Sequence, residues 1–178
     1  MPTYPDLPVI DYYPRPELFH NGLLDKITFD SVLDVGAGHG GVFNIDRWKS
    51  AKRREACDIF HVRDTPDWWT VRDGVDVCEL LSHYELGSFD VVQCTEVLEH
   101  VHNTRLALEN LVAVASKFVF ITSADETHHE GEPQERIQAI NPAQTYVKQP
   151  SVSDLRELGF TVGVDNERGR QLIAWLYK

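Results

Sequence analysis

Apolar and polar positions fall into short blocks along this chain. Apolar runs at 32–35, 56–60, 75–78, 89–94, 118–123, 160–165 and 172–177 read as strands. Helical spacing fills about 41–51, 65–72, 96–115 and 151–158. The clearest case is the third, where Val97, Val101, Leu108, Leu111, Val112 and Ala115 form one stripe. Strands alternating with helices predict a mostly parallel sheet covered on both faces. Only residues 166–170 separate the last two strands, too few for a parallel crossover, so these two should form an antiparallel hairpin. Residues 1–22 are rich in proline and aromatics and read as an N-terminal arm with a short helix near Glu17–His20. Residues 23–178 then form a single domain. Within it, 124–150 is a polar stretch that breaks the alternation after the fifth strand, where long connections are usually functional.

The first strand ends unusually. Val32, Leu33 and Val35 carry one acid, Asp34, and are followed by Gly36, Gly38, Gly40 and Gly41. Such a turn lets a ligand lie directly on the backbone. The spacing Gly36-x-Gly38-x-x-Gly41, with Asp58 following Gly36 by 22 residues, fits a dinucleotide-binding loop. Asp34-x-Gly36-x-Gly38-x-Gly40 fits a second nucleotide-type pattern equally well. The turn alone leaves both open, although an acid within the strand is unexpected for a dehydrogenase.

The formal charge of −11 argues against extended nucleic acid as a partner. The basic group Lys49, Lys52, Arg53 and Arg54 reads as a solvated helix end. Cys57, Cys78 and Cys94 lack metal-type spacing and read as buried thiols of a reducing compartment. With no apolar run long enough to span a bilayer and no signal-peptide pattern, the expected location is cytoplasmic.

The segment 89–101, Phe-Asp-Val-Val-Gln-Cys-Thr-Glu-Val-Leu-Glu-His-Val, resembles the fourth-strand region of class I S-adenosylmethionine-dependent methyltransferases. Together with the glycine turn and the terminal hairpin, the resemblance runs from about residue 29 to the C-terminus. It implies a three-layer, Rossmann-like α/β sandwich. The seven-stranded, mostly parallel sheet would have the order 3-2-1-4-5-7-6, with strand 7 antiparallel. It also implies cofactor-binding roles. Gly36, Gly38 and Gly40 would lie under the methionine and ribose, and Asp34 would brace the loop and reach the ammonium. Asp58 would take the ribose hydroxyls and Asp76 would contact adenine. Cys94, Thr95 and Glu96 would line the pocket beside the sulfonium. Only 17 residues lie between Gly40 and Asp58, so the first helix should be shorter than is usual in the family.

Glu96, Glu99 and His100, at i, i+3 and i+4, would share one helical face and suit a divalent ion such as Mg²⁺, Mn²⁺ or Zn²⁺. The face resembles the metal sets of ubiquinone-biosynthesis O-methyltransferases and small-RNA 3′-terminal 2′-O-methyltransferases. First-turn acids favoured by the helix dipole are the plainer reading. His128 and His129 are the candidates for a general base or a further ligand. Trp68 and Trp69 read as core packing, and Tyr12 as a lid or as packing on the sheet. The expected activity is methyl transfer to a small oxygen or nitrogen acceptor. The alternatives are a non-catalytic cofactor-binding regulator or protein partner and, opposed by Asp34 and by the hairpin, an NAD-dependent oxidoreductase.

Overall fold

The computed structural model describes residues 6–12, 15–39, 45–124, 148–166 and 171–178. An eight-stranded sheet runs through the molecule. Its strands are β1 (Val9–Ile10), β2 (Ser31–Val35), β3 (Arg53–Asp58), β4 (Thr70–Asp73), β5 (Phe89–Thr95), β6 (Ala115–Ser123), β7 (Thr161–Asp165) and β8 (Leu172–Tyr177). The helices are α1 (Pro16–Leu24), α2 (Thr104–Val114) and α3 (Val152–Glu157). The spatial order is β1-β7-β8-β6-β5-β2-β3-β4, parallel except where β8 runs against both β6 and β7. From β3 to β7 this is the expected order, and the place expected for the third strand is taken by β4, which lies at 70–73 rather than 75–78. The additional edge strand, β1, comes from the N-terminal segment.

Glycine makes that edge possible. A Cβ at Gly163 would overlap the Ile10 side chain and come within 2.9 Å of Pro8 O. Without one, β1 closes on β7, and Pro8 O accepts from Val164 N at 3.0 Å. The chain then enters α1 with Pro16 in its first turn, where a missing N–H leaves no helical bond unmade. Leu23, Leu24 and His20 face inward, and His20 packs on Phe120 of β6 with ring centroids 4.1 Å apart.

The two faces of the sheet are both covered. Leu33, Val35, Val92 and Cys94 pack under α2 with Leu108 and Leu111, while Val32, Val91, Phe118 and Phe120 meet α1, Tyr12 and Trp48. Trp48, only 1% exposed, anchors a short 3-10 helix (Asp46–Ser50), and truncation of such a side chain typically costs about 3–5 kcal/mol. Arg54 ties this region together by donating to Trp68 O at 2.9 Å and to Ala51 O, so this member of the basic group is structural. Trp69 is buried, as its packing expectation requires, and Tyr12 is buried against Phe19, His20 and Phe120.

Three predicted elements differ. The helix expected over 65–72 ends instead in β4, an edge strand whose four residues are all exposed. With no buried face, it has no apolar period to read. The strand expected over 75–78 is a turn into a 3-10 helix (Val77–Ser82), and its apolar residues Val75 and Val77 plug the core. The long helix expected over 96–115 is broken. A 3-10 turn (Leu98–His100) comes first, then an extended Val101, and α2 starts only where Asn103 Oδ1 accepts from Leu106 N at 3.2 Å. Of the helix expected over 41–51, residues 41–44 lie outside the described set and the remainder is the 3-10 turn at Trp48. No helix among the described residues is long and apolar enough to cross a membrane.

Candidate functional site

At the carboxyl ends of β2, β3 and β5 the glycine turn forms one wall of a cleft of about 430 Å³. Gly36 N and Ala37 N both donate to Cys57 O, at 2.8 and 3.1 Å, which carries the turn across the end of β3. Gly36 has φ +75°, and a Cβ there would overlap the Val97 side chain just beyond β5. Glycine is therefore needed at position 36 for both backbone shape and packing. Gly38, also at positive φ, donates its N–H to Asp58 Oδ2 at 3.0 Å, and Phe60 N donates to Asp58 Oδ1 at 2.8 Å. Asp58 thus organises the turn and faces the cleft with lone pairs to spare.

Of the residues expected to bind a cofactor, Gly36, Gly38, Asp58, Asp76 and Glu96 line the cleft. Asp76 also caps the following 3-10 helix, accepting from Cys78 N at 2.8 Å. Asp34 is buried beneath the turn, and its Oδ2 has no hydrogen-bond partner among the described residues. Burial pushes its carboxyl up to about 7; the Gln93 amide on β5 opposes the shift and the charge of Asp58 adds to it. Cys94 is fully enclosed in the core, with its thiol pushed well up by burial, and neither it nor Thr95 lines the cleft. All three cysteines are free thiols. Gly40, His128 and His129 lie outside the described residues. Sequence reading missed Ile59 and Phe60, which line the cleft while 51% and 46% exposed. The signal was available, as an apolar pair directly after the acid that ends β3.

The expected metal face does not form. Glu96 stands alone at φ +56°, so the helical spacing that would align it with Glu99 and His100 is interrupted at its first residue. Glu96 Oε1 accepts from Thr122 Oγ1 and from Gln171 Nε2, both at 2.6 Å. Glu99 is turned inward, 1% exposed, with Ser123 Oγ bonded to Oε2 at 3.0 Å and Ala124 N to Oε1 at 3.2 Å. Burial, reinforced by the charge of Glu96, raises the Glu99 carboxyl to about 8. A buried carboxyl whose two oxygens already accept from Ser123 Oγ and Ala124 N is poorly placed to ligate a hard cation. Among the described residues, no three His, Cys, Asp or Glu side chains are arranged to hold a metal. His100 does line the cleft.

A family model described as a methyltransferase domain matches residues 13–167. The chain belongs to that family. Its fold is that of solved methyltransferases with Rossmann-like sheets. The magnesium protoporphyrin IX methyltransferase ChlM from Synechocystis PCC 6803, with bound SAH, is 16% identical at a TM-score of 0.56, over 98% of this chain and 90% of that one. The trans-methyltransferase CalH, in complex with SAH, is 18% identical at 0.57, over 83% of this chain. The match covers only 51% of CalH's length. A Haloferax volcanii complex of the Trm112 methyltransferase activator with a methyltransferase gives 14% identity and 0.61, covering 88% and 86%. Curated protein sequences give no match.

Proposed function

We propose that this methyltransferase domain binds S-adenosylmethionine in the cleft over Gly36 and Gly38 and transfers its methyl group to a small nitrogen or oxygen acceptor. The observation that carries this reading is the union of a positive-φ glycine turn with the Asp58 carboxylate on one wall of the cleft. Asp58 would hold the ribose hydroxyls with the lone pairs that Gly38 N and Phe60 N leave over. Asp76, with Val77, suits the adenine end, where Ile59 and Phe60 add an apolar wall. Asp34, buried beneath the turn with its carboxyl raised by burial, would brace the turn from below.

The cofactor's sulfonium supplies both the methyl group and the leaving group, so the chain's task is positioning and exclusion of water. The reading needs no metal: Glu99 is turned inward with both oxygens hydrogen-bonded, and Glu96 does not share a helical face with Glu99 and His100.

Isothermal titration tests the reading. The protein should bind S-adenosylmethionine and S-adenosylhomocysteine but not NAD. Loss of hydrogen bonds to a charged partner typically costs about 1.5–3 kcal/mol, so Asp58→Ala should weaken both by roughly 10- to 100-fold. Binding of NAD alone, or an Asp58→Ala protein with unchanged affinity, would refute it.

A further inference from the structure

We infer that Glu96 is the acceptor-binding residue of this cleft and that it selects an amine. The inference rests on the proposed cofactor site and adds the acceptor half. Glu96 lines the same cleft as Gly36 and Asp58. It is one of only two non-glycine residues at positive φ among those described. Backbone in that region is strained for a residue with a Cβ, and it persists where surrounding structure fixes it. Here the fixing comes from Thr122 on the neighbouring strand β6 and from Gln171 just before β8. Glu96 N donates to Thr122 O at 3.1 Å, one step beyond the Thr95–Thr122 register pair. Thr122 Oγ1 and Gln171 Nε2 then both donate to the same carboxylate oxygen, Oε1. The carboxylate is clamped by one edge, and Oε2 accepts no hydrogen bond from the described residues. A preorganised acceptor atom is therefore left at the wall of a ligand-sized cleft.

Charge decides what should meet it. The cleft carries three acids, Asp58, Asp76 and Glu96, together with His100 and His102, and no lysine or arginine among the described residues. Burial is the main cause that raises both Glu99 and Tyr12, and the nearby charge of Glu96 adds to each; Tyr12 packs over the sheet from the N-terminal segment. An anionic acceptor such as a carboxylate or phenolate would meet repulsion there. An alcohol would be tolerated, and an amine or ammonium attracted.

The chemistry follows. The ammonium loses one proton to solvent, and the amine nitrogen, held through N–H to Glu96 Oε2, attacks the methyl carbon. The carbon–sulfur bond breaks, and its electron pair stays on sulfur as the neutral thioether. Nitrogen ends with the methyl group and the positive charge. As that charge develops, its attraction to Glu96 grows, so the carboxylate stabilises the transition state more than the ground state.

The test titrates benzylamine, benzyl alcohol and benzoate into protein saturated with S-adenosylhomocysteine. These share an apolar body and differ in head group. Benzylamine should bind best, and benzoate at least 10-fold more weakly or not at all. Glu96→Gln should weaken benzylamine at least 10-fold while changing S-adenosylhomocysteine affinity less than 2-fold, which also shows that the variant is folded. Thr122→Val should weaken benzylamine several-fold by loosening the clamp. Equal affinity for the three probes, no binding of benzylamine, or benzylamine binding untouched by Glu96→Gln would overturn the inference. So would a Glu96→Gln protein that loses S-adenosylmethionine affinity alone, because the carboxylate would then serve the sulfonium. If the wild-type protein binds no S-adenosylhomocysteine, the proposed cofactor site itself has failed.

Discussion

Replacement of Gly36 by alanine separates the two demands placed on that position. The first is conformational: φ is +75°, and a Cβ in the left-handed region costs about 1–2 kcal/mol. The second is steric: the new methyl would overlap Val97 Cγ2 and stand 3.1 Å from Cγ1 and 3.2 Å from Cβ. All three atoms belong to one half-buried side chain just beyond β5, and relief requires displacing it or the turn. Overpacking of this kind costs about 1–3 kcal/mol. Gly36→Ala should therefore destabilise by about 2–5 kcal/mol, a large share of the stability of an ordinary domain. Val97→Ala alone should cost about 1–2 kcal/mol through lost packing. In the double variant the overlap is gone while the strained φ remains. The double variant should thus be more stable than the sum of the single effects by about 1–3 kcal/mol, the steric part alone. Urea denaturation of the four proteins gives the cycle. Additivity within about 0.5 kcal/mol would refute the claim that Val97 is what forces glycine into the turn. A Gly36→Ala effect below about 1 kcal/mol would refute the conformational claim as well.

Glu99→Gln should remove a pH dependence. With the carboxyl raised from 4.5 to about 8, the folded state keeps a proton that the unfolded chain has lost, so wild-type stability falls between those values by about 1.4 kcal/mol per pH unit. Urea midpoints at pH 5, 6, 7 and 8 should show the variant lacking that slope; parallel curves would count against a neutral Glu99. His20 acts in the opposite sense: burial lowers it from 6.5 to about 4, so its contribution is whole above pH 6.5 and drains away as pH falls toward 4. His20→Phe keeps a ring on Phe120 and should unfold less steeply with acid over that window, and an unchanged acid transition would show that His20 takes no part in it.

What could be read from the sequence divides along physical lines. β2, β5, β6 and the β7–β8 hairpin were legible because both faces are covered and the apolar runs are nearly continuous. β4 was not, because an exposed edge strand owes its existence to pairing with β3 rather than to its own residues. At the cleft, the turn at Gly36 and the place of Asp58 beside it were legible for a similar reason: both depend on main-chain shape and strand ends, which residue type and short spacing record. The Glu-x-x-Glu-His set was misread because its meaning depends on partners that spacing does not contain. Thr122 and Gln171 lie 26 and 75 positions from Glu96, and together they take one of its carboxylate oxygens. Ser123 and Ala124 take both oxygens of Glu99. With those donors present, one acid is clamped at the cleft and the other is buried neutral; without them, both oxygens pairs would be open to a cation. The pattern itself therefore does not fix how its two acids are held; the end of β6 and the residue just before β8 do.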